Sequence, residues 1–135
     1  MQPKHKILII DDEEVVLDSC TQVLDGAECR VATANNGAEG LKRLEELKPD
    51  LMFLDLKMPG LSGLEVLERV RARQPLMVVI VITGYATVNS AVEAMKRGAF
   101  DFLPKPFTPE ELRLIARRGL EHSELVQQAL ALRRE

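Results

Sequence analysis

The stretch LMFLDLKMPG, residues 51–60, decides the fold of this chain. Its first four residues are all apolar, which is typical of a central strand that is covered on both faces of a parallel sheet. A single carboxylate, Asp55, ends the apolar run, and Met58-Pro59-Gly60 indicates a turn soon after it. The pattern predicts a buried strand that delivers one acidic side chain to the edge of a sheet.

Outward from this stretch, short apolar runs alternate with helical patterns five times, which predicts an α/β fold with a parallel sheet. Ser62 and Thr108 each stand three residues before a glutamate, the pattern of a capping box at a helix start. Thr87 is expected to cap the fourth helix, and Gly26 and Gly98 to follow the ends of the first and fourth. The predicted strands lie near residues 6–10, 28–34, 50–54, 78–82 and 101–103.

The composition limits the classes of function. The 135 residues suffice for one domain with a modest extension, and the net charge of −3 argues against direct nucleic-acid binding by this segment. No apolar run approaches the roughly 18 residues of a membrane span, and the N-terminus lacks the apolar core of a signal peptide. We therefore expect a cytoplasmic chain, with Cys20 and Cys29 as buried free thiols.

Polar side chains follow the apolar strands at four places. Asp11 and Asp12 follow the first strand, Asp55 the third, Thr83 the fourth and Lys105 the fifth. Because the carboxyl ends of parallel strands meet at one edge of the sheet, we expect these groups to converge there. Carboxylates, a hydroxyl and a lysine together suit a divalent cation and a phosphoryl group.

The acidic residues divide into a nucleophile and metal ligands. Asp55 is the candidate nucleophile, since carboxylates form aspartyl-phosphate intermediates. Asp12 and Asp55, with a carbonyl from the following loop, are expected to bind Mg²⁺, and Asp11 to hold a metal-bound water. The alternative for Asp11 and Asp12 is a cap on the first helix. Lys105 is expected to pair with Asp55 when no phosphoryl group is bound.

These residues resemble the response-regulator receiver family of two-component signalling over about residues 5–122. The resemblance implies a doubly wound, flavodoxin-like and CheY-like (βα)5 sheet with strand order 2-1-3-4-5. It also implies a receiver domain at residues 1–122, with the start of a helical linker at 123–135. Heptad spacing along the last helix favours a coiled coil in this linker, and a frayed amphipathic tail is the alternative. The motifs that carry the resemblance are Asp11-Asp12, Leu54-Asp55-Leu56-Lys57-Met58-Pro59-Gly60, Thr83-Gly84 and Lys105-Pro106-Phe107.

By this resemblance, Asp55 accepts a phosphoryl group from the phosphohistidine of a histidine kinase. Mg²⁺ or Mn²⁺ is then held by Asp11, Asp12, Asp55 and the carbonyl of Lys57. The domain is a signalling module and not an enzyme, although it assists its own phosphorylation and dephosphorylation.

The resemblance also assigns the phosphoryl-binding and switch residues. Thr83, Gly84 and Lys105 are expected to bind the phosphoryl oxygens, and the peptide bond before Pro106 to be cis. Thr83 and Phe102 form the switch to the face made by the fourth helix, fifth strand and fifth helix. Phe102 stands where tyrosine is frequent in the family, so that coupling must rest on packing without a hydroxyl. An ordinary core aromatic is the alternative for Phe102.

The segment from Thr83 to Phe107 and the long last helix look most like receivers of NtrC-type sigma-54-dependent activators. Another output domain, or a hybrid kinase, is the alternative. A haloacid-dehalogenase-type phosphatase is a remote alternative, because Lys57 stands where such enzymes need a second Asp. A pure interaction module with a decayed site is a further alternative. Apolar residues along the last helix predict a homodimer, and Tyr85 is expected to shield the phosphoryl group from water.

Overall fold

The computed structural model describes residues 4–84 and 87–134, with five strands and five helices in strict alternation. The strands are β1 (His5–Ile10), β2 (Cys29–Ala34), β3 (Leu51–Asp55), β4 (Val78–Thr83) and β5 (Asp101–Pro104). The helices are α1 (Glu14–Leu24), α2 (Gly37–Leu47), α3 (Gly63–Arg73), α4 (Val88–Lys96) and α5 (Pro109–Arg134).

All strand pairs are parallel, and the order across the sheet is β2-β1-β3-β4-β5. The predicted fold and strand order are therefore confirmed. Every residue of β3 and β4 is buried, as the uninterrupted apolar runs predict for strands covered on both faces. The reversal of strand order between β1 and β3 creates the crevice in which folds of this kind bind ligands.

Helices cover both faces of the sheet. One core lies between the sheet and α1 and α5, around Phe53, Ile80 and Ile115. The other lies against α2, α3 and α4, around Leu54, Val81 and the helical residues that pack on them. The alternation of side chains along each strand sends neighbouring residues to opposite cores, which fixes the strand register.

The predicted helix starts are confirmed by hydrogen bonds. Ser62 and Glu65 form a reciprocal capping box, and so do Thr108 and Glu111. Thr87 caps α4 through the backbone N–H of Ser90. At the other ends, Gly98 follows α4 with a left-handed φ of 100°, whereas Gly26 follows the cap residue of α1 without a positive φ. These starts and stops hold the site-bearing loops between fixed elements.

The last helix continues without a break through residue 122, where the sequence places the end of the receiver. Ser123 is buried, the ring of His122 stacks on Phe100 at 4.8 Å, and Glu124 lies 3.3 Å from His5 Nε2. Contacts between α5 and the rest of the domain therefore extend beyond this residue. Among the described residues, no helix combines the length and apolarity needed to cross a bilayer.

Candidate functional site

Three carboxylates meet at the carboxyl edge of the sheet. Asp11 directly follows β1 and Asp55 is the last residue of β3. Ile10 lies opposite Leu54 in these neighbouring strands, so the next residue of each brings its acid to the same point. Asp11 and Asp55 are buried and Asp12 is exposed, and one carboxylate oxygen of each lies within 4.8 Å of the others. The predicted acidic cluster is present.

The turn before α1 uses only one of the two Asp11 carboxylate oxygens. Asp11 Oδ1 accepts the Glu13 N–H at 2.9 Å, and the buried Oδ2 lies 2.8 Å from Lys105 Nζ. The residue that caps α1 is Glu13, and its side chain makes no capping hydrogen bond. A helix cap therefore does not account for the buried Oδ2. Together with the nearby oxygens of Asp12 and Asp55, an Asp11 carboxylate oxygen suits an oxygen-binding cation such as Mg²⁺.

The loop after Asp55 is held by a glycine that the sequence marks only as part of a capping box. Gly63 donates its N–H to the carbonyl of Leu56 at 2.9 Å. A Cβ at this position would lie 2.2 Å from the carbonyl oxygen of Asp55 and 2.4 Å from Cα of Leu56. Only glycine allows α3 to begin this close to the end of β3, which folds the loop back over Asp55.

Lys105 reaches into the acidic cluster from the end of β5. Its Nζ lies 2.8 Å from Asp11 Oδ2, 2.9 Å from Glu13 Oε1 and 3.4 Å from Asp55 Oδ2. The expected contact with Asp55 is present but is the longest of the three. Glu13 is a member of the site that the sequence does not single out, although it stands next to the acidic pair.

The charges of the site shift the pKa values of its groups. Burial raises the pKa of the Asp55 carboxyl from 3.8 to about 6, and the Asp11 carboxylate adds to the rise, while Lys105 and the Lys57 N–H oppose it. Burial lowers the pKa of Lys105, but Asp11, Glu13 and Asp55 outweigh this effect and raise the pKa above its ordinary value. Lys105 therefore stays charged, and Asp55 ionises at an energetic cost.

Thr83 and Lys105 are brought together by the pairing of β4 with β5. Thr83 is buried at the end of β4, and its carbonyl accepts the Lys105 N–H at 2.9 Å. Gly84 is exposed and has open space around the position of a Cβ. The Lys105–Pro106 peptide bond is cis, as the resemblance implies. A hydroxyl, an accessible backbone and an ammonium thus lie on the side of β3 towards β5.

The remaining predicted residues lie around this centre. Phe102 is half-buried and packs against the core on the α2, α3 and α4 side. Lys57 is exposed, and its N–H donates to Asp55 Oδ1 at 3.3 Å. Cys20 is buried below the site, where burial and the Asp11 charge raise the pKa of its thiol to about 11, and Cys29 is half-buried. Tyr85 lies outside the described residues.

A known protein family matches most of this chain. Residues 7–117 match the family described as the response regulator receiver domain. This chain belongs to that family. As a receiver, it is a signalling domain of two-component response regulators and not a conventional enzyme.

The sequence of this receiver is similar to parts of larger transcriptional regulators. It is 35% identical over 122 residues to the DNA-binding transcriptional regulator NtrC of Escherichia coli K12, covering 90% of this chain and 26% of NtrC. It is 38% identical over 134 residues to the alginate biosynthesis transcriptional regulatory protein AlgB of Pseudomonas aeruginosa, covering 99% of this chain and 30% of AlgB. The predicted resemblance to NtrC-type receivers is confirmed, and the chain spans less than a third of the length of these relatives.

A solved structure extends the similarity to the last helix. The crystal structure of NtrX from Brucella abortus superposes with a TM-score of 0.89 at 34% identity. The match covers 96% of this chain and 30% of NtrX. Almost the whole receiver, including most of α5, therefore follows a fold seen within a longer protein.

The raised pKa of Asp55 predicts that the receiver gains stability when this acid is removed. In the unfolded chain Asp55 titrates near 3.8, and in the folded receiver near 6. The folded state therefore binds more protons between these values, and stability falls as the pH rises through this window. At pH 7 without divalent cations, Asp55→Asn is expected to raise the free energy of unfolding by about 1–3 kcal/mol.

Urea denaturation in EDTA at pH 7 and at pH 4 measures this effect. The difference between the wild type and Asp55→Asn should be large at pH 7 and small at pH 4. Asp18→Asn is the matched control, because Asp18 is exposed on α1, and it should change stability little at either pH. An Asp55→Asn variant that is no more stable than the wild type at pH 7 contradicts the expectation.

Proposed function

We propose that Asp55 is the phosphoacceptor of this receiver and takes a phosphoryl group from the phosphohistidine of a partner histidine kinase. One observation carries the proposal. A buried carboxylate at the end of a central strand faces Lys105 at 3.4 Å, beside two further acids within 4.8 Å. Its burial and its raised pKa mark it out from the exposed carboxylates of the chain.

The transfer requires a nucleophile and groups that neutralise the phosphoryl oxygens. An Asp55 carboxylate oxygen attacks phosphorus, and the bond from phosphorus to the imidazole nitrogen breaks, with its electrons passing to that nitrogen. We infer that Lys105, the Thr83 hydroxyl and the Gly84 N–H bind the oxygens of the transferred group. Bound Mg²⁺ or Mn²⁺ supplies further positive charge to the same oxygens.

The metal ligands follow from the acidic cluster. Asp12 and Asp55 supply carboxylate oxygens directly, Asp11 holds a metal-bound water, and the Lys57 carbonyl completes the protein's contribution. This division agrees with the small number of carboxylates that Mg²⁺ usually takes from a protein. It is also supported by the convergence of one carboxylate oxygen from each of Asp11, Asp12 and Asp55 within 4.8 Å of one another.

We further infer that the receiver controls an output domain of an NtrC-type, sigma-54-dependent transcription activator in the cytoplasm. The similarity to NtrC and AlgB supports this output, and the 26 residues of α5 supply a helical connection towards it. Coupling runs from Thr83 and Phe102 to the face formed by α4, β5 and α5. Phosphorylation shifts the output by its different effect on two states of this face.

Phosphorylation by a small donor tests the proposed function without the kinase. Acetyl phosphate and Mg²⁺ are expected to add the mass of one phosphoryl group to the intact chain. The added mass should be absent when EDTA replaces Mg²⁺, because the carboxylates then repel the anionic donor. An unmodified chain at saturating donor and Mg²⁺ contradicts the proposal.

The homodimer predicted from the sequence is part of this proposal, and two exposed apolar stripes support it. On α4, Val88, Val92 and Met95 are 80%, 46% and 45% exposed and share one side of the helix. This stripe belongs to the α4-β5-α5 face on which the proposed switch acts. A second stripe runs along α5.

The stripe on α5 consists of Leu114, Leu125 and Leu132, which are 46%, 62% and 71% exposed. Their spacings of 11 and 7 residues place them within about 20° of one another around the helix. The buried Ala116 and Ser123 lie on the opposite side, against the domain. The leucine stripe thus faces away from the receiver, where the same helix of a second copy can cover it.

We expect residues 1–135 to self-associate at tens of micromolar, and Leu125→Glu to weaken association by about tenfold or more because a charge enters the apolar contact. Ala131→Glu adds the same charge at an exposed position off the leucine stripe and should change association by less than about twofold. Sedimentation equilibrium measures both. A monomeric wild type well above micromolar concentration rules the dimer out.

A further inference from the structure

Glu13 contributes a carboxylate to the site without belonging to the acidic cluster. The cluster that could hold a cation consists of Asp11, Asp12 and Asp55. Glu13 lies just outside it, with Oε1 at 2.9 Å from Lys105 Nζ. Its side chain is 60% exposed, whereas that of Lys105 is 13% exposed, so the pair joins the rim of the site to its interior.

The backbone of Glu13 is fixed on both sides. Its N–H donates to Asp11 Oδ1 at 2.9 Å, and its carbonyl accepts the N–H groups of Val16 at 3.1 Å and Leu17 at 3.2 Å. The side chain therefore extends from a stationary point at the start of α1. A carboxylate on a fixed backbone limits the positions that the flexible lysine side chain can adopt.

The partners of Lys105 must change when the site is loaded. Its ammonium carries three N–H donors and contacts Asp11, Glu13 and Asp55. A cation and a phosphoryl group engage the oxygens of Asp11 and Asp55 in the proposed function. Of the three carboxylates, Glu13 alone keeps its oxygens available to Lys105.

We propose that Glu13 is a positioning residue, which holds the Lys105 ammonium at the mouth of the site while Asp11 and Asp55 are engaged by other groups. One N–H of Lys105 stays on Glu13, and the other two can reach the phosphoryl oxygens. This inference rests on the proposed function of the site. It assigns to Glu13 a role in orienting Lys105 and no contact with the phosphoryl group itself.

The chain offers a matched control one residue away. Glu14 is exposed in the first turn of α1 and, within the described residues, makes no ion pair with Lys105. Glu13→Gln and Glu14→Gln remove the same charge from neighbouring positions. A difference between them therefore reports the contact with Lys105 and not the net charge of the surface.

Phosphorylation kinetics with acetyl phosphate at saturating Mg²⁺ separate binding from positioning. Glu13→Gln is expected to lower the saturating rate by about three- to fivefold without raising the half-saturating donor concentration. Glu14→Gln should keep the saturating rate within about twofold of the wild type. Glu13→Asp keeps the charge on a shorter side chain and should fall between the wild type and Glu13→Gln.

A second readout is independent of activity. In the metal-free protein, the Nζ resonance of Lys105 in ¹⁵N NMR should shift in Glu13→Gln and stay unchanged in Glu14→Gln. The role of Glu13 is overturned if Glu13→Gln and Glu14→Gln have equal saturating rates. It is also overturned if the Lys105 resonance does not shift in Glu13→Gln. A wild-type chain that takes up no phosphoryl group overturns the proposed function first, and the role of Glu13 with it.

Discussion

Asp12→Asn is expected to lower the rate of phosphorylation by acetyl phosphate by on the order of 100-fold and to weaken Mg²⁺ binding to a similar extent. Asp12 is the exposed member of the cluster and, among the described residues, makes no hydrogen bond or ion pair. Its charge is therefore free for a cation, whereas Asp11 and Asp55 already contact Lys105. Replacing it by an amide removes a charged ligand and disturbs little else.

Isothermal titration with Mg²⁺ and the rate of phosphoryl uptake measure the two effects. Asp18→Asn makes the same chemical change at an exposed position on α1 and should bind Mg²⁺ like the wild type. Thermal unfolding without metal should show that Asp12→Asn is folded, so that a loss of binding reports the ligand. Unchanged Mg²⁺ affinity in Asp12→Asn would contradict the proposed metal site.

Gly63→Ala is expected to lower the free energy of unfolding by about 3 kcal/mol. The added methyl group would meet the carbonyl oxygen of Asp55 at 2.2 Å and Cα of Leu56 at 2.4 Å. Both are backbone atoms, so relief requires α3 or the loop after β3 to move. Neither a change of rotamer nor the high helix propensity of alanine removes this overlap.

Urea denaturation of Gly63→Ala beside Gly26→Ala tests this expectation. Gly26 has no atom within 4 Å of a Cβ and does not adopt a positive φ, so its substitution should be neutral or stabilise by up to about 1 kcal/mol. If the two variants are equally stable, the close approach of α3 to β3 is wrong. Gly63→Ala should also slow phosphorylation, because the loop that it displaces carries the Lys57 carbonyl.

The residues that the sequence predicted correctly share a local signal. Uninterrupted apolar runs mark β3 and β4, and the polar residues that end them, Asp55 and Thr83, stand at the carboxyl edge of the sheet. Parallel topology then brings Asp11 and Lys105 to the same edge, because all strands point the same way. Position along the chain was therefore enough to locate these groups.

The features that the sequence did not reveal depend on distances between remote segments. The contact between Glu13 and Lys105 joins residues 92 apart, and nothing in the local pattern distinguishes Glu13 from Glu14. Gly63 stands at a helix start where many residues fit, and only the approach of α3 to the backbone after β3 excludes a side chain. The apolar residues of α5 likewise lie on two faces of the helix. The sequence pattern does not distinguish the face that packs on the sheet from the face that stays exposed.

The identity of the phosphorylated residue is the most direct test of the account. Borohydride reduces an aspartyl phosphate to homoserine, so reduction of the chain after treatment with acetyl phosphate and Mg²⁺ leaves a stable mark at the acceptor. Peptide mass spectrometry is expected to find homoserine at position 55 and at no other aspartate. Homoserine at Asp11 or Asp12, or its absence from position 55 in a phosphorylated chain, would contradict the assignment of Asp55.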